Sequence, residues 1–244
     1  MHIAESLPAH RGVNFFVRKG KDLEERFIGN AYMFTPKDRK ALLKIHTNAP
    51  DPMAITKPYY DQVKDQDDVT KMQYLDLHLW MAGDILLKAD KMSMANSLEL
   101  RVPFLDKEVM ALAQRIPTRY RVIHKPSESG GTPYITKYAM RLAAKKDTPP
   151  QTAKTAAKKK LGFPVPIRVW LKEDTYYNMV KNTFEGNAAQ QFFHTEKLVQ
   201  LLDDHRAGKA DNSRKIWTVY MFLVWYHVYF ESDVIPTKPN VSCF

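Results

Sequence analysis

The chain has 244 residues, a net charge of +10 and a hydrophobic content of 44%, which suffices for a folded core in one large or two small domains. Its single cysteine, Cys243, excludes a disulfide framework and favours a reducing, cytoplasmic compartment. The longest apolar stretch, Ile216 to Phe230, is shorter than the roughly 20 residues that cross a bilayer, so no membrane is expected.

The predicted elements are almost all helices. Residues 1–20 show no periodicity and are expected to form an irregular lead-in. Thr35 and Pro36 are typical of a helix start, because threonine caps a first turn and proline fits its first position. Apolar residues from Met72 to Ala89 recur at helical spacing and predict a long helix over about 69–91.

The second half of the chain continues the same pattern. Further helices are predicted from Asp106 to Pro117, from Tyr134 to Pro149, and from Thr195 to Gly208. A final helix over about 212–231 is apolar on almost every side, so it and the long helix are expected to be heavily buried. No alternating strand pattern is found, and the sequence predicts a mainly α fold with 1–244 as a single helical domain.

Basic residues are concentrated between Lys137 and Lys160, where eight of them accompany one acidic residue, Asp147. Such a stretch could serve phosphate groups, or it could be a solvated face of surface lysines. Tyr138 is the only aromatic residue among them, so a platform that stacks nucleic-acid bases is not expected.

Two segments carry the strongest functional signal. Residues 84–106 read DILLKADKMSMANSLELRVPFLD, and residues 158–171 read KKKLGFPVPIRVWL. In order and separation they resemble the signature blocks of the glutamine-hydrolysing (B type) asparagine synthetases, in the C-terminal part of the synthetase domain. The resemblance implies the mainly helical portion of an ATP-pyrophosphatase-type (adenine nucleotide α-hydrolase-like) domain.

Other motifs of that family are absent from the printed residues. Its nucleotide loop, Ser-Gly-Gly-x-Asp-Ser, should precede residue 84, yet the only Ser-Gly-Gly is Ser129-Gly130-Gly131, followed by Thr132-Pro133. The glutaminase half would need a cysteine after the initiator Met, where this chain has His2. We therefore expect a C-terminal piece whose parallel sheet and phosphate loop are largely missing.

The resemblance also implies which residues carry the chemistry. In the family, aspartate and ATP form an aspartyl-AMP intermediate, which ammonia from glutamine converts to asparagine. Lys91 and Lys160 match the two lysines that reach the phosphates, Glu99 is placed near the reactive centre, and Arg101 is expected to bind the nucleotide. The alternatives are that Lys91 complements the helix dipole, and that Glu99 and Arg101 belong to a buried Glu–Arg or Arg–Asp pair that holds the turn.

Ligands and partners follow from the same resemblance. The complete enzyme is expected to use aspartate, ATP and Mg²⁺, together with N-terminal nucleotide-binding and glutaminase segments, and a homodimer stays open. The chain alone is expected to hold no cofactor tightly, to offer no metal ligand and to be inactive. A non-catalytic helical interaction module and a nucleic-acid-binding module remain as alternative functions.

Overall fold

The computed structural model describes residues 20–30, 32–45, 48–125, 134–158 and 165–232. These residues are predominantly helical, which confirms the predicted fold class. Their only regular strands, β1 (Val122–His124) and β2 (Tyr134–Thr136), pair antiparallel with Ile123 opposite Ile135. The predicted lead-in lies outside the described residues except for Gly20.

The first half of the described chain is a series of helices. In chain order they are α1 (Leu23–Arg26), α2 (Pro36–Leu42), α3 (Pro52–Gln62), α4 (Asp68–Leu75), a π-helix (Asp76–Leu86), α5 (Leu87–Met94), a 3₁₀ turn (Pro103–Leu105), α6 (Lys107–Arg115) and α7 (Thr118–Arg121). α4, the π-helix and α5 follow one another without a break and are called here the long helix, 68–94. The predicted helix over 69–91 is thereby confirmed.

The second half adds seven helices after the small sheet. They are α8 (Tyr138–Asp147), α9 (Pro150–Ala157), α10 (Ile167–Trp170), α11 (Asp174–Glu185), α12 (Asn187–Phe192), α13 (Thr195–Arg206) and α14 (Ser213–Tyr226), and α14 runs on into a π-helical turn (His227–Glu231). The continuous stretch 213–231 is called here the final helix, and it confirms the helix predicted over 212–231.

The chain divides into two compact units. Unit 1 consists of Met1–Ala31 and Pro50–Gly162, and unit 2 of Tyr32–Ala49 and Phe163–Phe244. The description of 1–244 as a single helical domain stays a prediction.

Unit 2 contains a well-buried hydrophobic core. Phe184, Leu198 and Leu202 are fully buried, and Leu223 of the final helix is 1% exposed. Full burial of such a side chain stabilises a fold by about 1.5–3 kcal/mol. Leu42 of α2 joins this core, and the adjacent Leu43 forms an isolated antiparallel bridge with Phe193. The segment 32–45 is thus tied to the C-terminal half of the chain.

The final helix is buried on one face only, contrary to its predicted central position. Ile216, Val219 and Leu223 recur at three- and four-residue intervals and are buried. Trp217 and Trp225 on the other side are 43% and 47% exposed. Apolar residues on almost every side of this helix therefore did not mean burial on every side. No helix among the described residues is both long and apolar enough to cross a bilayer.

Unit 1 buries far less of its apolar surface. Of the long helix only Leu75 is buried, so the heavy burial predicted for 69–91 is wrong. Tyr60 of α3 is 1% exposed, and its hydroxyl donates a hydrogen bond of 2.6 Å to the carbonyl oxygen of Phe27. Burial raises the pKa of Tyr60 to about 12. In the described part of unit 1, the buried side chains are those of Thr56, Tyr60 and Leu75.

Candidate functional site

The segment 84–106 begins on the long helix and leaves it through a tight reversal. The amide of Leu98 donates to the carbonyl of Ser93 at 2.9 Å, and Ser97 lies in the left-handed region with a φ of 55°. Residues 98–102 have no regular secondary structure, and the Asp106 carboxylate then accepts hydrogen bonds from the amides of Glu108 and Val109 and so caps α6. The long helix, the reversal at Ser97 and the Asp106 cap thus position the backbone of Glu99 and Arg101.

Glu99 and Arg101 form an ion pair on this stretch. Their Oε1 and Nη2 atoms are 2.6 Å apart, and both side chains are at least 70% exposed. The contact agrees with the expectation that residues two apart in an extended chain share a side. An exposed ion pair typically contributes about 0–1 kcal/mol, so this one does little to hold the turn. Both charges remain accessible to a ligand.

Lys91 lies in the last turn of α5 with its side chain exposed. No ion pair or hydrogen bond joins its ammonium group to another residue in the described part of the chain. Lys160 lies outside the described residues. The prediction that Lys91, Glu99 and Lys160 converge on one phosphate site therefore stays a prediction.

Six apolar side chains that neighbour these charged residues in the sequence are also exposed. They form the signature surface, defined here as Met92, Met94, Leu98, Leu100, Val102 and Phe104, each between 44% and 65% exposed. Monomeric soluble proteins rarely leave apolar residues clustered in this way, and such patches typically mark interaction sites. The candidate residues thus lie on a face suited to contact with further protein.

The basic segment divides into surface lysines and one structural arginine. Lys137, Lys145, Lys146, Lys154 and Lys158 are exposed, as expected for a solvated face. Arg141 is half-buried instead and donates to three backbone carbonyls. Its Nε reaches Thr136 at 3.0 Å, and its Nη1 reaches Lys158 at 3.0 Å as well as Ala156.

Arg141 therefore anchors the chain just before the segment that carries Lys160. The five donors of a guanidinium group suit it to bind several carbonyls at once. The sequence distinguished Arg141 in no way from the other seven basic residues of 137–160, because bonds from a side chain to backbone carbonyls leave no periodic signal.

The described residues contain no group of three histidine, cysteine or acidic side chains that could hold a metal ion. His78 and His227 illustrate this, since their ring contacts are local: His78 Nδ1 lies 2.8 Å from the Tyr74 carbonyl, and His227 pairs with Glu231 on the same helix. No Mg²⁺ ligand is assigned among these residues.

Comparison with known proteins gives a consistent result. The family model described as asparagine synthase matches residues 8–227. The chain is 44% identical to "Asparagine synthetase [glutamine-hydrolyzing] 1" of Bacillus subtilis over 98% of its own length and 36% of that protein's length. It is 37% identical to a putative asparagine synthetase of Mycobacterium bovis over 96% of its own length and 34% of the relative's. No solved structure gives a significant match.

Proposed function

Because the chain belongs to the asparagine synthase family, we propose that it forms the lysine-bearing helical part of an asparagine synthetase. The whole protein would amidate aspartate at the expense of ATP through an aspartyl-AMP intermediate, with ammonia from glutamine, in the cytoplasm. The chain spans about a third of the length of the curated relatives it matches.

One observation supports this proposal above the others. The residues that match the family's functional positions in unit 1 lie on a surface that is apolar and uncovered. Phe104 is 65% exposed and Leu98 is 61% exposed, although they stand within a few residues of Glu99 and Arg101. A reactive centre for phosphate chemistry needs water excluded from it. Further protein packed on the signature surface would supply that exclusion.

The charges of the segment suit the proposed reaction. Attack of an aspartate carboxylate on the α-phosphate increases negative charge on the phosphate oxygens, and fixed cations stabilise it. Lys91 and Lys160 would donate to these oxygens, and Arg101 would bind the nucleotide. Glu99 would orient the substrates or accept a proton from ammonia as the amide forms.

The rest of the chemistry requires groups that the printed residues do not supply. Cleavage of ATP needs a loop of backbone amides around its phosphates, and the sequence contains no Ser-Gly-Gly-x-Asp-Ser. Glutamine use needs a cysteine nucleophile, and Cys243 is the only cysteine. The 244 residues alone are therefore proposed to be inactive.

A chimaera tests the assignment. This chain would replace the matching third of the Bacillus subtilis relative, and pyrophosphate release would be measured with aspartate, ATP, Mg²⁺ and ammonia. Lys91→Ala and Lys160→Ala should each lower kcat by about 10²-fold or more if they stabilise the transition state. Lys145→Ala, an exposed lysine of α8, serves as the control and should retain full activity. Two lysine variants with unchanged kcat would refute the assigned roles.

A further inference from the structure

A cavity of about 610 Å³ lies within unit 1, beside the first half of the long helix. It is open to solvent on one side and is lined by the end of α3, the long helix, α6 and Arg121. Pockets that bind small molecules typically have volumes of about 300–1,000 Å³ and combine apolar walls with a few fixed polar groups. The cavity meets both conditions, as the following contacts show.

The positive charge of the cavity is held in a fixed position. Arg121 donates from Nε to the carbonyl of Ile116 at 2.6 Å, and from Nη1 to Thr70 Oγ1 at 3.1 Å and Gln73 Oε1 at 3.0 Å. Within the described part of the chain, no hydrogen bond uses Nη2, so its two hydrogens are left for a ligand. A guanidinium group held by its own protein binds a carboxylate with little loss of conformational freedom.

A negative charge stands one helical turn farther along the same wall. Asp76 follows Gln73 by three residues, and its Oδ1 accepts a hydrogen bond of 3.2 Å from Asn30 Nδ2. Burial raises the pKa of Asp76, more than the hydrogen bond from Asn30 lowers it. A positively charged partner in the cavity would relieve the cost of that burial.

Much of the remaining wall is apolar, and it includes the aromatic ring of Trp80. Leu77, Met81 and Met110 line it together with Trp80. The indole Nε1 of Trp80 donates to Asp84 Oδ2 at 3.0 Å, which fixes the ring. Gln66 and Gln114 also line the cavity, and within the described chain neither side-chain amide makes a hydrogen bond.

We propose that this cavity binds a free amino acid with an apolar or aromatic side chain. Its carboxylate would pair with Arg121, its ammonium group with Asp76, and its side chain would pack on Trp80 and the two methionines. A simple anion would be repelled by Asp76 and a simple cation by Arg121, whereas a zwitterion matches both charges. Asp76 precedes Lys91 by fifteen residues of continuous helix, roughly 20 Å, so the site is separate from the proposed reactive centre.

The test titrates the 244-residue chain with L-phenylalanine, 3-phenylpropionate and 2-phenylethylamine. The two analogues lack the ammonium group and the carboxylate respectively. Binding is followed by the methyl NMR signals of Met81 and Met110 and by tryptophan fluorescence. Phenylalanine should bind saturably and at least about tenfold more tightly than either analogue, because each analogue loses one charged hydrogen bond. In Trp80→Phe the fluorescence change should disappear while the methyl shifts persist.

A conservative variant separates binding from folding. Asp76→Asn keeps an oxygen that can accept the Asn30 hydrogen bond and should weaken phenylalanine binding about tenfold or more. Asp68→Asn, on the same helix and outside the cavity lining, is the matched control and should bind as the parent chain does. The proposal is overturned if phenylalanine shows no saturable binding, if either analogue binds equally well, or if Asp76→Asn leaves the affinity unchanged.

Discussion

Arg141 is a single half-buried side chain that links two separate backbone segments of unit 1. Its guanidinium group joins the end of β2 to the C-terminus of α9 by hydrogen bonds to backbone carbonyls, including that of Lys158. The chain that leaves Lys158 leads directly to Lys160. Loss of these bonds would free both α9 and the beginning of that segment.

Arg141→Lys should therefore destabilise the protein despite the retained charge. A lysine ammonium group cannot reach three separate carbonyls in this geometry, and leaving carbonyls unpaired costs about 1–3 kcal/mol. The change is measured by urea denaturation and by the rate of tryptic cleavage after Lys158, which should increase. Lys145→Ala on the same helix should change neither, and equal stability of both variants would contradict the anchoring role.

The carboxylate of Asp38 allows a second test at the scale of a single residue, because its contribution to stability should depend on pH. Its Oδ1 lies 2.9 Å from Lys215 Nζ, and its Oδ2 accepts from the amide and hydroxyl of Thr35. Burial raises the pKa of Asp38, but the hydrogen bonds from Lys215 and Thr35 outweigh it and hold the pKa below its ordinary value. The stability gained is complete above about pH 4 and is lost as the pH falls through the lowered pKa.

Asp38→Asn should lower the free energy of unfolding by up to about 1 kcal/mol at pH 7, because the pair is partly exposed and screened. The difference from the parent chain should shrink as the pH falls below about 4. Urea denaturation at several pH values measures it. Asp65→Asn, an exposed acid in unit 1, should show no difference at any pH, and a deficit of Asp38→Asn that grows on acidification would contradict the pKa direction.

At the scale of elements, the final helix shows that an apolar side chain is not necessarily a buried one. Leu223 and Met221 are both apolar and stand two positions apart, yet Leu223 is 1% exposed and Met221 is 41% exposed. The helical period places them on different faces. The energetic consequences of truncating them should differ accordingly.

Leu223→Ala should cost about 2–5 kcal/mol, because it removes methyl groups from a close-packed core and leaves a cavity. Met221→Ala should cost less than about 0.5 kcal/mol, as surface substitutions usually do. Thermal or urea unfolding of the two variants provides the comparison. Similar losses for both would mean that the exposed face of this helix is covered in solution.

The sequence predicted the existence of the main elements better than their burial. The caps at Thr35 and Asp106 and the helices over 69–91 and 212–231 follow from local signals, and the structure confirms them. The helix predicted from Asp106 is present as α6, yet its apolar residue Leu112 is 64% exposed. Periodicity identifies an apolar face, but only tertiary structure decides whether anything covers it.

The candidate functional residues, too, were only partly predictable from the sequence. Its residues were assigned from motif resemblance, whereas Arg121 and the cavity beside it had no sequence signal. The ion pair of Glu99 and Arg101 could be expected from their spacing in an extended chain. The contacts of Arg121 join residues 48 and 51 positions apart, and no local pattern encodes such distances.

At the scale of the whole molecule, the two units differ in what they bury. The core cluster, from Leu42 to Leu223, lies in unit 2, whereas unit 1 exposes apolar faces of the long helix, of α6 and of the signature surface. Burial of apolar area is the main source of stability, so unit 1 should be the less stable unit in the isolated chain.

Hydrogen exchange can measure this difference directly. Amides of 177–223 in unit 2 should exchange more slowly than those of the long helix in the isolated chain. In the chimaera, protection of the long helix and of 98–104 should increase, because further protein would cover them. Protection of 98–104 that is the same in both proteins would contradict an uncovered signature surface.

Pyrophosphate release with aspartate, ATP, Mg²⁺ and ammonia tests the central claim most directly. The isolated 244-residue chain should release none above the protein-free background, because two or three cations cannot fix the in-line geometry of adenylation. The chimaera, in which a relative supplies the nucleotide loop, should release pyrophosphate and form asparagine in equal amounts. Robust release by the isolated chain, or none by a folded chimaera, would contradict the claim that this chain is the lysine-bearing part of a synthetase.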